Sequence, residues 1–122
     1  VGLSICYDVR FPELYRGLVD AGADVIVVPA AFTLHTGKDH WSALLRARAI
    51  ESQSWVLAAA QFGSHPQGRR CYGHSMLVDP WGAIVAEASD HVGIVTGTLD
   101  REYLEQVRRS LPSLKHRRLP FG

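Results

Sequence analysis

The run Val25-Ile26-Val27-Val28-Pro29 constrains the fold more than any other stretch. It is continuously apolar and β-branched, so it lacks the in-out alternation of a half-solvated strand. A segment of this kind reads as a strand covered on both faces, the usual state of a strand inside a parallel sheet. Helical patterns flank it. Residues 12–21 open on Pro12 and place Leu14, Tyr15, Leu18 and Val19 on one face, with Gly22 as a stop signal. A longer helix is expected over residues 38–54, after a loop of small residues at 30–37.

The remaining elements follow from the same periods. Residues 2–6 and 55–61 read as strands, and residues 62–70 as a polar loop. Two short strands at 75–79 and 83–88 are joined by the hairpin signal Pro80-Trp81-Gly82, and residues 92–99 add a third strand. Asp100 is placed to cap a last helix carrying Leu104, Val107 and Leu111, ended by Pro112. Strand–helix–strand–helix–strand followed by a meander predicts an α/β sheet of mixed direction. The 38–54 helix is apolar on two sides: Trp41, Leu44 and Leu45 share one, Ala43, Ala47 and Ile50 another. One side covers the sheet; the second is either buried within the subunit or meets another.

Charge narrows the partners. Thirteen basic and 12 acidic side chains leave a formal charge of +1, which makes no electrostatic case for nucleic acid or a membrane surface. No apolar run approaches the ~18 residues of a membrane span. Two cysteines build no disulfide framework and suit a reducing compartment, so a cytoplasmic location is expected. The chain begins at Val1 inside an apparent strand, with no signal-peptide pattern, and this predicts that upstream sequence is absent.

Candidate chemistry centres on Cys6, at the end of the first strand and just before a helix opened by Pro12. A thiol held there, near the partly positive end of a helix, is favoured as the nucleophilic thiolate. From the residues alone, a small buried core cysteine fits equally well. The backbone N–H of Tyr7 is positioned to meet an oxyanion formed beside Cys6. Arg10 reads either as a solvated arginine, as a partner of Asp8 or Glu13, or as a bidentate clamp on a substrate carboxylate. Glu51 stands three residues after Arg48, a spacing for an intrahelical ion pair, and is not taken as a catalytic base. His74 and Asp79 suggest a triad with Cys6, but His74 precedes an apolar strand and reads as structural. Cys71, His74, His35 and His40 lack metal-ligand spacing, and no cofactor or metal is expected. The basic run from Lys115 to Arg118 reads as a solvated face.

The segment Cys6-Tyr7-Asp8-Val9-Arg10-Phe11-Pro12-Glu13 resembles the nucleophile region of the nitrilase superfamily, the carbon–nitrogen hydrolases. Ala30-Ala31-Phe32-Thr33, Thr36-Gly37, His40-Trp41, Arg46 to Glu51, Tyr72 to Gly82 and Leu111-Pro112 to Arg118 fall in that family's order. Within the family the chain is most similar to the branch that hydrolyses deaminated glutathione. The resemblance implies a four-layer α-β-β-α sandwich, of which residues 1–122 would be the C-terminal portion of a single domain. It implies hydrolysis of a small linear amide to carboxylate and ammonia, through a thioester on Cys6. It places Arg10, Phe32 and Thr36 at the substrate, and a catalytic glutamate, a catalytic lysine and a second glutamate upstream of Val1. It also implies a homodimer or larger assembly, paired through the long helix and the basic tail. Related alternatives are an ω-amidase or an N-carbamoyl hydrolase; without the upstream residues, a non-catalytic structural or binding module remains.

Overall fold

A computed structural model describes residues 1–119. In chain order they form β1 (Gly2–Leu3), a 3-10 turn (Cys6–Arg10), α1 (Pro12–Asp20), β2 (Val25–Val27), α2 (Leu34–Ser52) and β3 (Trp55–Ala58). These are followed by β4 (Phe62–His65), β5 (Arg69–Tyr72), β6 (Met76–Val78), β7 (Ile84–Glu87) and α3 (Arg101–Ser110). Five strands make one sheet in the order β1-β2-β3-β6-β7, parallel from β1 to β3 and antiparallel beyond, as the mixed-direction reading requires.

Local signals place the helices. Pro12 sits in the first turn of α1. The helix ends in a Schellman arrangement: Gly22 takes φ 94°, its N–H bonds the Val19 carbonyl, and the Ala23 N–H bonds the Leu18 carbonyl. Asp100 caps α3 by accepting a hydrogen bond from the Tyr103 N–H at 3.0 Å.

Side chains alternate across the sheet. Ile26, Val28, Val56, Ala58, Met76 and Val78 meet Tyr15 of α1 and Trp41, Leu45 and Ala49 of α2 in the main core. Fully burying one such aliphatic side chain contributes about 1.5–3 kcal/mol, so this face anchors the fold. On the opposite face, α3 packs Leu104 against Trp55 and Leu77. Leu3 remains 72% exposed there, and a cavity of about 720 Å³ opens between Val27, Leu57 and the segment around Ile94. The described residues thus supply one sheet with its main helix layer, and the second face is only partly covered.

Four expectations are corrected. The regular ladder at the ends of β1 and β2 is shorter than residues 2–6 and 25–29, although extended pairing continues. The Cys6 N–H still bonds the Pro29 carbonyl at 2.9 Å, and the Val28 N–H bonds the Leu57 carbonyl at 2.8 Å. The long helix begins at Leu34, one turn earlier than expected, so Thr36 and Gly37 are helical. Gly37 permits this because Tyr72 packs onto it, where a Cβ would lie 2.4 Å from the Tyr72 Cβ. The polar loop at 62–70 is instead the β4–β5 hairpin, turned through Gln67 at φ 67° and Gly68 at φ 71°. Residues 92–99 form no strand: Val92 and Ile94 are about nine-tenths exposed, and the segment crosses the open sheet face without joining a ladder.

Candidate active site

Strand pairing delivers Cys6 to its position. The parallel strands end side by side, and their following residues line a cleft of about 530 Å³. Cys6 stands after β1, Pro29 to Ala31 after β2 and Ala59 to Gln61 after β3. A crevice at the carboxyl ends of parallel strands is where open α/β sheets bind ligands. Cys6 itself is half-buried, with its backbone in the left-handed region at φ 47°. This conformation costs a non-glycine residue about 1–2 kcal/mol and persists only where its surroundings impose it.

Three sets of contacts impose it. The Cys6 N–H is tied to the Pro29 carbonyl. Asp8 closes the turn reciprocally: its carboxylate accepts from the Ile5 N–H at 2.9 Å, and its own N–H bonds the Ile5 carbonyl at 3.0 Å. From α2, buried Arg48 donates through Nε to the Val9 carbonyl at 2.8 Å, while its Nη1 meets Glu51 at 2.6 Å. The Arg48 guanidinium lies 5.6 Å from the Tyr15 ring, and the Tyr15 hydroxyl shares a 2.8 Å hydrogen bond with Ser4 in the strand leading to Cys6. Burial pushes the Tyr15 hydroxyl above its ordinary pKa. Glu51 is therefore an ion-pair partner, as its spacing predicts.

The other candidates fall into two groups. Arg10 and Phe32 meet: the guanidinium lies 5.2 Å from the Phe32 ring and 5.5 Å from the Tyr7 ring. Arg10 also approaches His40 Nδ1 at 3.3 Å, and among the described residues it has no carboxylate partner. Neither Asp8 nor Glu13 takes it. Phe32 is buried against Trp41, with ring centroids 4.8 Å apart. Thr36 lies in the first turn of α2, its hydroxyl 3.0 Å from that of Thr33. Arg10, Phe32 and Thr36 are not among the residues lining the Cys6 cleft. Tyr7, with an exposed side chain, follows Cys6 in the 3-10 turn.

Sequence reasoning missed the cleft wall itself. Ser75 pins the strand ends by accepting from the Ala60 N–H at 2.8 Å, and Gln61 bonds the Ala30 carbonyl through its N–H at 2.9 Å. The available signal was positional: each small-residue stretch immediately follows a parallel strand. His74 lies apart from any triad, because its ring nitrogens meet Glu87 at 2.7 Å and Asp90 at 2.9 Å. Asp79 instead accepts from the Trp81 and Ala83 N–H groups and organises the turn before β7. Arg117 of the basic tail pairs with Asp20 at the end of α1.

The description "Carbon-nitrogen hydrolase" matches residues 1–109. The chain is 56% identical over 117 residues to the deaminated glutathione amidase of Synechocystis sp., an alignment covering 96% of this chain and 43% of that protein. The fold matches C. elegans NitFhit with a TM-score of 0.93 at 54% identity, over 96% of this chain and 28% of that one. Saccharomyces cerevisiae Nit3, a member of branch 10 of the nitrilase superfamily, matches with a TM-score of 0.90 at 41% identity, over 97% and 44% of the two chains. The chain thus spans less than half the length of each of these relatives.

Proposed function

The chain belongs to the carbon-nitrogen hydrolase family, and on that footing we propose that it carries the nucleophile of an amidase acting on small linear amides, deaminated glutathione foremost. In this reading residues 1–122 are the C-terminal portion of one domain, and the rest of the domain covers the open sheet face around Leu3. That portion also brings the family's glutamates and lysine to the mouth of the cleft.

The observation that carries the reading is Cys6, held at φ 47° where three parallel strands end at one cleft. The thiol proton passes to the upstream glutamate, and Sγ attacks the amide carbonyl carbon. Negative charge collects on the carbonyl oxygen, where the Tyr7 N–H and the upstream lysine receive it. Collapse breaks the C–N bond as the glutamate returns the proton to nitrogen, and an acyl thioester remains on Cys6. Water, deprotonated by the same glutamate, then attacks the thioester, giving the carboxylic acid and the restored thiol. The amides of deaminated glutathione are peptide linkages, so the leaving group from that substrate is an amine, in place of the ammonia expected of a primary amide.

Arg10 has the form of a carboxylate clamp, a planar guanidinium resting on the Tyr7 and Phe32 rings with no carboxylate partner among the described residues. Thr36 adds a hydroxyl one helical turn before His40, the residue whose ring Arg10 approaches. Ala43 and Ile50 on the second side of α2 are exposed, as is Trp81 beside them, which supports pairing of two subunits there. The free thiols of Cys6 and Cys71 support a cytoplasmic location.

The deciding experiment uses the full-length protein. Cys6→Ala is expected to abolish turnover while unfolding at the wild-type denaturant midpoint, and mass spectrometry during turnover should find the acyl group on Cys6. Near-normal turnover by this variant, or acylation elsewhere, overturns the assignment. Deaminated glutathione is expected to be hydrolysed faster than simple ω-amides; equal rates remove it as the preferred substrate.

A further inference from the structure

A cavity of about 320 Å³ adjoins the Cys6 cleft and shares Ala60, Gln61 and Ser75 with it. Its lining also includes His74 and, from the segment that follows β7, Ala88, His91 and Val92. His74 has a left-handed backbone at φ 59°, a conformation that a side chain with a Cβ keeps only where its surroundings impose it. Those surroundings engage the whole residue. The His74 carbonyl accepts from Trp41 Nε1 at 2.9 Å, and its ring stacks on Tyr72 with centroids 4.2 Å apart. Nδ1 lies 2.7 Å from the Glu87 carboxylate, at the end of β7, and Nε2 lies 2.9 Å from that of Asp90.

Ionised carboxylates only accept, so each of these two contacts needs a proton on the ring nitrogen. The imidazolium satisfies both. A neutral ring keeps one and turns a lone pair toward the other carboxylate. Exposure ranks the two arms: the Glu87 side chain is 37% exposed and that of Asp90 77%, so Asp90 is the arm a neutral ring gives up. Tyr72 from β5, His65 from β4 and His91 from the segment itself are the other titratable groups around this cavity. Burial, then the charges of Glu87 and Asp90, hold Tyr72 above its ordinary pKa, so the stacked phenol stays neutral where histidines titrate. His91 is engaged by the Ser89 hydroxyl at 2.7 Å.

Both ends of His74 lead to the candidate active site. The next residue, Ser75, bonds both the N–H and the carbonyl of Ala60 in the cleft wall, and its own carbonyl accepts from the Ala88 N–H at 2.8 Å. Trp41, held by the His74 carbonyl, packs against Phe32, the ring beneath Arg10. We infer that His74 is a positioning residue for the Cys6 site: its imidazolium ties Glu87 and Asp90 to the cleft wall and holds segment 88–93 at the adjoining cavity, and the neutral ring releases the Asp90 arm. The consequence for turnover rests on the amidase reading; the latch itself does not.

The test uses the full-length protein and two measurements that fail separately. Hydrogen exchange at residues 88–93, corrected for the intrinsic effect of pH, reads the latch. Wild-type protection is expected to fall about twofold to fivefold between about pH 5.5 and about pH 8.5, the worth of one exposed ion pair. Asp90→Asn, a surface change, should lose that pH dependence, as should His74→Asn, whose side chain tolerates the left-handed backbone. Protection independent of pH in wild type, or a pH-dependent fall that persists in Asp90→Asn, overturns the latch even where His74→Asn does not fold. Turnover of deaminated glutathione reads the positioning role. His74→Asn should lower kcat/KM by about tenfold to a hundredfold at low pH, Asp90→Asn by no more than about fivefold, and Glu87→Gln by an intermediate factor. The ratio of wild type to His74→Asn should shrink as pH rises, whereas a side chain that only supports the fold leaves it constant. A constant ratio, or a larger loss in Asp90→Asn than in Glu87→Gln, overturns the positioning role. If wild type hydrolyses no amide, the amidase reading falls and hydrogen exchange still decides the latch.

Discussion

Replacing Arg48 with methionine should destabilise the protein severely, although Arg48 touches no part of the cleft. The side chain is 7% exposed and serves two acceptors, the Val9 carbonyl at 2.8 Å and the Glu51 carboxylate at 2.6 Å. Methionine fills much of the volume but strands both. Removing one partner of a buried ion pair costs about 3–5 kcal/mol, because the other charge stays desolvated. Glu51 is 24% exposed, so water relieves part of this, and the lower end, about 3 kcal/mol, is expected. That is a large share of the roughly 5–15 kcal/mol that holds a domain together. Arg48→Lys keeps a charge but loses the fork that reaches both acceptors, at a cost of about 1–2 kcal/mol. Arg48→Met/Glu51→Leu should recover much of the loss, since no charge is then left unpaired. Denaturant midpoints of the full-length variants, at unchanged slope, measure these values. The surviving folded fraction should also turn over more slowly, by as much as about a hundredfold, because the turn that holds Cys6 at φ 47° has lost its anchor. A cost below about 1 kcal/mol for Arg48→Met, or a double variant as damaged as the sum of the singles, would refute the reasoning.

Gly37→Ala should destabilise by about 1–3 kcal/mol despite the better helix propensity of alanine, since its Cβ would fall 2.4 Å from the Tyr72 Cβ; a raised thermal midpoint would contradict that packing. Tyr15, raised above its ordinary 10.0 chiefly by burial, contributes stability that is complete below the unfolded-state value and lost as pH rises through the folded one. Tyr15→Phe should therefore flatten the alkaline limb of a stability–pH curve, at a cost near neutrality of about 1 kcal/mol for the Ser4 hydrogen bond. Hydrogen bonding by Arg117 holds the Asp20 carboxyl below its ordinary value, so its contribution is present above the unfolded pKa and disappears as pH falls through the folded one. Asp20→Asn should remove that acid dependence, read as melting temperature against pH. Residues 1–122 expressed alone should show no measurable amidase turnover, because losing acid–base catalysis costs on the order of 10²–10⁴ and losing an oxyanion donor roughly 10²–10³.

The sequence alone determined the elements whose signals are local. Pro12, Gly22 and Asp100 mark helix ends through contacts within one turn, and Val25 to Val28 declare a sheet interior because no polar position interrupts them. The Arg48–Glu51 pair was legible for the same reason, as two side chains one turn apart on a helix must meet. Cys6 could be located at the end of its strand, but its left-handed backbone could not be foreseen. That conformation depends on Pro29, on the Asp8 turn and on Arg48 reaching Val9 across 39 residues. The hairpin at 62–72 was hidden by glycine and charge in its strands, since pairing between strands is decided by the partner rather than by composition. The opposite error at 92–99 has the same origin: apolar residues spaced like a strand stay unpaired when no sheet edge receives them. Only tertiary structure gathered the ends of three strands into one cleft. The physical reason is range: capping and periodicity act over a few residues, whereas a site is built by backbone pairing and burial between segments far apart along the chain.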